Sequence, residues 1–293
     1  MNDVMNGNEY HVHLGDCIEH MAELPDACFS SAVFSPPFPS LFSYSSEAGD
    51  IGNSEDLRGE AKIHLAFFFK QLRRVMKPGR IIVVHVMQIP GLARNGELGT
   101  FDFRGLIIRL GQRAGLIYQY DWLVRKNPQA QAIRTHSHKL LFVTLERDRS
   151  ISCGAFGDYL IKFIVPGKNE VPIDSPEISR NQWIDWAEAC WSDIRETATL
   201  NVKEGKGEDD TRHICPLQLD VIDRLVLLYS NPGEIVFSPF AGIGSEGYVS
   251  LKRGRRFYGC ELKNEYHVAA CKNLARAIAE RQANEKTLFE MAE

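Results

Sequence analysis

The chain of 293 residues lacks several features that would assign it to a broad class of protein. It contains no apolar run near the roughly 20 residues that a membrane-spanning helix requires. Its first residues have neither a basic segment nor an apolar core, so a secretory signal peptide is not expected. With 44% hydrophobic and 25% charged residues, the composition is that of a globular protein, which excludes disordered, collagen-like and coiled-coil chains.

Cysteine spacing shows no metal-binding or disulfide pattern. The seven cysteines form no C-x-x-C pair and their number is odd, so neither a zinc site nor a disulfide framework is expected. Several lie in apolar runs, where a free thiol behaves as a small core side chain. A reducing, cytoplasmic environment is therefore predicted.

The chain also lacks an excess of positive charge. Its 34 lysine and arginine residues against 38 aspartate and glutamate residues give a net charge of -4. Proteins that coat DNA are strongly basic, so this balance excludes that class. It does not exclude an enzyme that contacts a short stretch of nucleic acid through local basic segments.

Strand-like and helix-like patterns alternate along most of the chain, which indicates an α/β fold with a largely parallel sheet. Short continuous apolar runs predict buried strands, and apolar residues at helical spacing predict helices. The predicted strands are residues 10–14, 29–34, 80–87, 116–124, 139–145, 234–237 and 256–262. The main predicted helices are residues 17–24, 62–76, 103–114, 217–229 and 264 to about 292.

Periodicity weakens over residues 148–212, which we interpret as an insertion or small subdomain. It contains Trp183, Trp186 and Trp191. Tryptophan rings stack on unpaired bases, but three tryptophans near helical spacing more often form a small hydrophobic core, which is the alternative that we favour.

A glycine-rich loop follows the predicted strand 234–237. Gly242, Gly244 and Gly247 satisfy G-x-G-x-x-G, which lets the backbone approach a ligand closely. Glu261 ends the next strand, near the roughly 20-residue spacing at which a carboxylate accepts hydrogen bonds from a ribose. The loop predicts a nucleoside-cofactor site, with a ligand-free turn as the alternative. Because only one predicted strand follows, the element order disfavours a dinucleotide-binding dehydrogenase.

A second loop, Ser35-Pro36-Pro37-Phe38, ends the strand predicted at 29–34. Consecutive prolines fix two φ angles and remove two N–H donors, which leaves the carbonyl groups of Ser35 and Pro36 as stiffly aimed acceptors. With a hydroxyl and an aromatic ring beside them, these carbonyls suit a planar group that carries an exocyclic amine. Taken alone, such a loop is more often a structural turn.

Together and in this order, the two loops resemble those of the S-adenosylmethionine-dependent DNA amino-methyltransferases, which modify cytosine N4 or adenine N6. Placing the catalytic loop first resembles the β class of that family. Residues 13–17, 77–80 and 255–262 match further family segments. Residues 213–217 depart from the family's usual His/Lys-Pro motif, because a cysteine precedes the proline.

The resemblance covers about residues 10–147 and 211–275. It implies a Rossmann-like, seven-stranded mixed sheet in the circularly permuted methyltransferase order, with a small inserted recognition region. Residues 1–147 would form the catalytic half, 148–212 the target-recognition insertion and 213–293 the cofactor-binding half.

The resemblance implies S-adenosyl-L-methionine as the cofactor and no metal. The implied cofactor-binding residues are Asp16, Cys17, Ser238, Phe240, Gly242, Gly244 and Glu261. Among them, Glu261 would hold the ribose, and Asp16 and Cys17 would lie near the adenine. From the sequence alone, Asp16 is at least as well explained as a helix N-cap.

The implied catalytic residues are Ser35, Pro36, Pro37 and Phe38. The target base must leave the duplex to be methylated. The Ser35 side chain and the Pro36 carbonyl would accept hydrogen bonds from its amine, and Phe38 would stack on it. The methyl group would transfer directly, since the chain has no Pro-Cys dipeptide of the kind that supplies the nucleophile in cytosine-C5 methyltransferases.

Several alternatives remain open at this point. In the family, Ser at the position of Ser35 favours cytosine N4, whereas adenine N6 is the alternative. An RNA or protein methyltransferase on the same fold is disfavoured, because such enzymes normally place the cofactor motif first. A catalytically silent nucleic-acid-binding module is disfavoured by the two intact loops.

DNA is the predicted partner, and no membrane is expected. The segment 125–139 contains Arg125, Lys126, Arg134 and Lys139. It is interpreted either as a phosphate-binding loop or as a solvated one. The resemblance also implies a homodimer and, within a restriction-modification system, a cognate nuclease.

Overall fold

The computed structural model describes residues 4–38, 59–91, 99–135, 142–152, 154–201 and 216–290. The strands are β1 (Tyr10–Leu14), β2 (Phe29–Phe34), β3 (Met76–Met87), β4 (Ile89–Pro90), β5 (Thr100–Phe101), β6 (Ile117–Val124), β7 (Asp158–Ile164), β8 (Cys190–Trp191), β9 (Ile235–Ser238) and β10 (Arg256–Glu261). The helices are α1 (Cys17–Glu23), α2 (Glu60–Val75), α3 (Phe103–Arg113), α4 (Pro128–Thr135), α5 (Phe142–Arg147), α6 (Arg180–Trp186), α7 (Leu219–Tyr229), α8 (Ser245–Lys252) and α9 (Asn264–Glu290). Among the described residues, none of the helices combines the length and the apolar character that crossing a bilayer requires.

The described strands form one large sheet in the order β1-β10-β9-β2-β3-β7-β6-β8 and a small pair, β4-β5. Neighbours in the large sheet run parallel except at β7, which is antiparallel to both β3 and β6. The predicted α/β fold with a mixed, permuted sheet is confirmed. The two-residue strand β8 adds an eighth member to the seven that were expected.

The centre of the sheet is buried on both faces. Every side chain of β2 is buried, as expected for a continuous apolar strand that has helices on each side. Phe34 packs in the core that contains Phe68 of α2 and residues of α3. Val33, whose side chain points the opposite way, packs in the core formed with α7 and Trp191. This layering leaves the carboxyl ends of β2 and β9 at the same edge of the sheet, because the two strands are parallel neighbours.

One predicted strand is wrong. Residues 142–147 form helix α5, and residues 139–141 lie outside the described part of the chain. The apolar side chains of Phe142 and Leu145 are 69% and 59% exposed. The apolar sequence predicted as a strand over residues 139–145 is therefore not buried at these two positions. Besides the two-residue strands β4, β5 and β8, the sequence did not predict β7, in which Lys162 interrupts the apolar pattern. Its ammonium group lies over the Tyr229 ring, 4.5 Å from the centroid, which lets a charged residue occupy a central strand.

The position of β7 also corrects the extent of the predicted insertion 148–212, since residues 158–164 belong to the central sheet. Trp186 and Trp191 lie in the hydrophobic core, which confirms the core alternative for these two residues. Both Trp191 Nε1 and Trp122 Nε1 donate to the Trp186 carbonyl group, at 3.2 and 3.0 Å. Trp183 does not join them and is 61% exposed.

Candidate active site

The glycine-rich loop connects β9 to α8 by a tight turn with left-handed backbone. Gly242 and Gly244 have φ angles of 53° and 85°, which a residue with a Cβ adopts only at a cost. The Gly244 amide donates to the Ala241 carbonyl at 2.8 Å, and Gly244 is the N-cap of α8. A Cβ placed on Gly242 would meet no atom within 4 Å, so the space beside this part of the loop is open.

The third glycine of the motif has a different role. A Cβ on Gly247 would lie 2.4 Å from Leu274 Cδ2 and 2.5 Å from Phe257 Cδ1. Gly247 therefore allows α8 to pack closely against β10 and α9, as the third glycine of such a motif does in dinucleotide-binding loops.

Glu261 holds the glycine loop from the end of β10. Its Oε2 atom accepts a hydrogen bond from the Gly242 amide at 2.8 Å, and its Oε1 atom accepts one from the Lys263 amide at 3.0 Å. A carboxylate oxygen can accept more than one hydrogen bond, so these two bonds do not by themselves exclude a ligand hydroxyl. The acid that the sequence paired with the loop by spacing is thus joined to it by a hydrogen bond.

The start of α1 lies at the same edge of the sheet. Leu14 of β1 is paired with Glu261, and the Gly15 amide donates to the Glu261 carbonyl at 2.9 Å. Asp16 is the N-cap of α1 and accepts from the amides of Ile18 and Glu19 at 2.7 and 3.0 Å. The N-cap alternative for Asp16 is therefore confirmed. Asp16 lies two residues after Leu14, the last residue of β1, which pairs with Glu261.

Cys17 follows Asp16 and is buried in the core. Burial raises the pKa of the Cys17 thiol well above its ordinary value, and the nearby Cys260 adds to the rise. A thiol in such surroundings stays protonated at neutral pH and is a poor nucleophile. Cys17 can therefore contact a ligand as a packed apolar side chain, but it is not suited to act as a covalent nucleophile.

Two serines near the loop have hydroxyl groups without a hydrogen-bond partner. Ser238 ends β9 and Ser245 starts α8, and both Oγ atoms are buried with no partner among the described residues. Buried polar atoms in native proteins are normally hydrogen-bonded to protein, water or ligand. Together with the open space beside Gly242, these hydroxyl groups fit a polar ligand at the loop.

Glu246, in the first turn of α8, is a buried carboxyl group with a raised pKa. Burial raises the pKa of its carboxyl group to about 8, and the negative charge of Glu261 adds to the rise. At neutral pH, Glu246 is therefore mostly protonated. No sequence pattern indicates this state, because glutamate in the first turn of a helix is ordinarily ionised.

The proline-rich loop begins where β2 ends, beside the glycine loop. Ala32 of β2 is paired with Phe237 of β9. The rings of Phe34 and Phe240 lie 5.9 Å apart, and Phe240 also packs on Phe68 at 5.0 Å. The structure thus brings together the two loops that the sequence separates by about 200 residues. They lie at the carboxyl ends of neighbouring parallel strands, the edge of the sheet at which α/β proteins bind ligands.

Within the proline-rich loop, Ser35 and Pro37 are partly buried, and Pro36 and Phe38 are buried. The Phe38 ring is only 8% exposed and packs 5.7 Å from the Phe103 ring. The ring that was expected to stack on a base therefore packs against α3 in this structure.

Ser35 contacts a polar residue that the sequence did not indicate. Its Oγ atom lies 3.0 Å from Nδ1 of His85 on β3 and 3.2 Å from the His85 carbonyl oxygen, to which it can donate. His85 Nε2 lies 2.9 Å from Oδ2 of Asp158, the first residue of β7. Because β7 is antiparallel, its start lies where the parallel strands end, and Asp158 is delivered to the edge that carries both loops.

Lys126 completes this buried group. Its Nζ atom lies 2.6 Å from Asp158 Oδ2, and both side chains are at most 5% exposed. Burial alone would raise the pKa of Asp158, but His85 and Lys126 outweigh it and lower the pKa to about 2. Lys126 is therefore not a phosphate contact, which corrects that part of the interpretation of segment 125–139. The rest of that segment includes residues 136–139, which are outside the described residues.

Comparison with known protein families assigns the chain to one of them. The family model N6_N4_Mtase, described as DNA methylase, matches residues 31–272. The chain belongs to this family of DNA methylases. The family suggested by the paired loops is therefore confirmed, and the matched range contains both of them.

Individual relatives agree with the family. The type II methyltransferase M.BglII of Bacillus subtilis is 41% identical over 59 residues, which is 20% of this chain and 16% of that protein. The chain thus matches only a small part of the length of this curated relative.

Solved structures share the fold over nearly the whole chain. TTHA0409 of Thermus thermophilus, complexed with S-adenosyl-L-methionine, superposes with a TM-score of 0.66 at 20% identity and covers 91% of this chain and 95% of its own. The cytosine-N4-specific PvuII DNA methyltransferase superposes with a TM-score of 0.62 at 16% identity, over 91% of this chain and 86% of its own. The predicted methyltransferase fold is confirmed by these superpositions.

Proposed function

We propose that this chain methylates DNA on the exocyclic amine of a base, with S-adenosyl-L-methionine as the methyl donor and cytosine N4 as the target atom. The observation that carries the proposal is the side-by-side placement of the Ser35–Phe38 loop and the Gly242–Gly244 loop on neighbouring parallel strands. A methyl donor and an acceptor base must approach each other within van der Waals contact, and these loops supply adjacent surfaces for the two.

The cofactor would bind at the glycine loop. In this proposal, Glu261 accepts hydrogen bonds from the ribose hydroxyl groups, and Gly242 and Gly244 let the backbone approach the methionine portion. Ser238 and Phe240 border the same space, and Asp16 and Cys17 lie on the adenine side. The bound cofactor supplies an electrophilic methyl group on a sulfonium, so the protein needs to provide positioning rather than a covalent nucleophile.

The amine would be held by the proline-rich loop. Ser35 Oγ and the Pro36 carbonyl are acceptors, and hydrogen bonds from the amine to them orient its lone pair away from the loop. The flipped base costs a few kcal/mol of lost stacking and pairing. Stacking by Phe38 would help to offset that cost, and it requires the ring to leave its position against Phe103.

Cytosine N4 is the finer part of the proposal. It is supported by Ser35 and by the fold shared with the PvuII enzyme. Adenine N6 is the second candidate, since the matching family model covers both chemistries.

DNA contacts would come from Arg125 and from residues 148–212 outside β7, which we propose as the target-recognition region. A homodimer, a cognate restriction nuclease and a cytoplasmic location are further proposals from the family resemblance and the cysteine pattern. Sedimentation of the purified chain alone and with DNA tests the homodimer.

The test of the function is direct. The protein is incubated with isotope-labelled S-adenosyl-L-methionine and unmethylated DNA, and the digested nucleosides are identified by mass spectrometry. We expect labelled N4-methylcytosine. Labelled N6-methyladenine would move the target to adenine, and label found only in RNA or protein would refute a DNA substrate.

A further inference from the structure

The contacts of the His85 ring indicate which of its nitrogens can accept a hydrogen bond. Its Nε2 atom lies 2.9 Å from Oδ2 of the ionised Asp158, which can only accept, so this contact is favourable when Nε2 carries the hydrogen, although Nε2 makes no hydrogen bond of good geometry here. Lys126 Nζ lies 2.6 Å from the same carboxylate oxygen. With the hydrogen on Nε2, Nδ1 has a lone pair that faces Ser35 Oγ at 3.0 Å.

This geometry fixes the direction of the Ser35 hydroxyl group. Its single hydrogen has two acceptors, His85 Nδ1 at 3.0 Å and the His85 carbonyl oxygen at 3.2 Å. Both belong to the same residue of β3, so the hydrogen points toward β3 in either case. The lone pairs of Oγ that point away from β3 are left for a donor.

We propose that His85, held by Asp158 and Lys126, is a positioning residue that turns the Ser35 hydroxyl group into an obligate hydrogen-bond acceptor for the target amine. This inference rests on the proposed function. Without the His85 side chain, only the longer contact of 3.2 Å to the backbone carbonyl of residue 85 would hold the hydrogen toward β3, so the hydroxyl group would be freer to donate to the amine nitrogen and occupy the lone pair that must attack. The buried Lys126–Asp158 pair then serves to select the correct tautomer.

Two substitutions at His85 separate positioning from structure. His85→Leu removes the acceptor, whereas His85→Asn places its amide oxygen near the position of Nδ1. We expect single-turnover methylation to fall by about 100-fold in His85→Leu and to stay within about tenfold of the parent rate in His85→Asn, a range typical of a positioned acceptor. The affinities for S-adenosyl-L-methionine and DNA should not change. His64→Leu, on α2, is the matched control and should retain the parent rate.

The tautomer can be observed without any methylation. We expect nitrogen-15 NMR of the parent protein to show His85 with hydrogen on Nε2 and a bare Nδ1. The double variant Lys126→Met/Asp158→Leu replaces the buried pair by apolar side chains, a change that proteins often tolerate, and should lose this preference and methylate more slowly.

The outcomes distinguish the two proposals. A protein that methylates no nucleic acid but shows the expected tautomer would refute the proposed function alone. A hydrogen on Nδ1, or equal rates in the parent and His85→Leu, would overturn the role of His85. Equal losses in His85→Leu and His85→Asn would reduce His85 to a packing residue.

A second inference comes from a different part of the sheet. His11 and His13 alternate along β1, and His20 lies on α1. One nitrogen from each of the three side chains lies within 4.8 Å of the others, and no other group of this kind occurs among the described residues. The His13 and His20 rings stack in parallel with their centroids 3.6 Å apart, so one ring has to rotate before the in-plane lone pairs of both can point at one ion.

The surroundings of His20 resemble those of a metal ligand. Its Nε2 atom contacts the Tyr258 hydroxyl at 2.8 Å, while Nδ1 is buried without a hydrogen-bond partner among the described residues. Metal-binding histidines usually donate from their second nitrogen to such a polar group.

We infer that His11, His13 and His20 form a binding site for a divalent transition metal such as zinc, which would tie α1 to β1. Imidazole nitrogen is a preferred ligand of zinc, and bonds of about 2.0–2.1 Å bring ligand nitrogens to roughly 3.4 Å from one another. The exposed Glu23 carboxylate, 4.0 Å from His20 Nδ1, is placed to supply a fourth ligand.

The test uses tag-free protein titrated with zinc chloride in a calorimeter, followed by absorption spectroscopy with cobalt. We expect one equivalent to bind, with a tetrahedral cobalt spectrum and a raised melting temperature. Binding should be lost in His13→Asn and weakened in His11→Asn, while His64→Asn should bind as the parent does. No binding, or binding that persists in His13→Asn through other histidines of the chain, would overturn the site.

Discussion

The Gly242 amide donates a hydrogen bond of 2.8 Å to Glu261 Oε2, which joins the cofactor loop directly to the end of the neighbouring strand. The carboxylate therefore shapes the loop in addition to any contact that it makes with a ribose. An amide in its place would have one acceptor oxygen for two backbone donors, the amides of Gly242 and Lys263.

Glu261→Gln should accordingly weaken binding of S-adenosyl-L-methionine at least tenfold. An unsatisfied buried donor costs about 1–3 kcal/mol, and 1.4 kcal/mol corresponds to a factor of ten. Calorimetric titration of the cofactor measures the change. Glu265→Gln, at an exposed position of α9, is the matched control, and equal affinities in the two variants would contradict the prediction.

Pro36→Ala should abolish methyl transfer while leaving cofactor binding intact. The substitution restores an N–H donor and frees the φ angle that aims the loop carbonyl groups. Transfer is measured by label incorporation into DNA, and binding by calorimetry. Pro232→Ala, in an exposed turn, serves as the control. A parallel collapse of cofactor affinity would show that the loop's assigned role is wrong.

Phe38→Leu should slow methyl transfer with only a small loss of stability. Truncating a buried phenylalanine to alanine costs about 3–5 kcal/mol, which would mix a folding defect with a functional one. Leucine keeps much of the packing against Phe103 but cannot stack on a base. Thermal unfolding and single-turnover rates are measured together, and an unchanged rate would remove Phe38 from the catalytic residues.

Gly247→Ala should destabilise the fold, since the added Cβ would lie 2.4 Å from Leu274 and 2.5 Å from Phe257. Overpacking of this kind costs about 1–3 kcal/mol, or a few degrees in melting temperature. Gly154→Ala is a suitable comparison, because a Cβ there meets nothing within 4 Å. If both variants melted like the parent, the close approach of α8 to β10 would be in doubt.

Glu246→Gln should remove part of the pH dependence of stability. The carboxyl group has a pKa of about 8 in the folded protein, against 4.5 when exposed. Between these values the folded state holds a proton that the unfolded state has lost, so its contribution to stability falls as pH rises from 4.5 and levels off above 8. Melting temperatures from pH 5 to 9 should therefore decline less in Glu246→Gln than in the parent. Identical pH profiles would mean that the carboxyl group is not buried in solution.

The two loops and Glu261 could be predicted from sequence because each lies within a few residues of a strand end. The glycines and prolines restrict the backbone locally, so their identity is informative without knowledge of the sheet. Asp16 was ambiguous because an N-cap and a ligand contact use the same carboxylate.

His85 and Asp158 could not be predicted in the same way. His85 contacts Ser35, and Asp158 contacts His85, only because β2, β3 and β7 pair in the sheet, and no short motif records that pairing. His85 lies near the end of β3 and Asp158 at the start of β7. These two positions are neighbours only because β7 runs antiparallel to β3. Lys126 was misjudged for the same reason, since its charge looked exposed until its partner on β7 was identified.

The pairing of β2 with β9 also has a consequence for synthesis of the protein. Ribosomes add about 5–20 residues per second, so roughly 10–40 seconds separate the emergence of these neighbouring strands. During that interval one edge of β2, whose six side chains are all buried in the finished sheet, has no partner to cover it. An uncovered apolar edge promotes aggregation. Yield from an expression host should therefore respond to chaperone supply and to growth temperature.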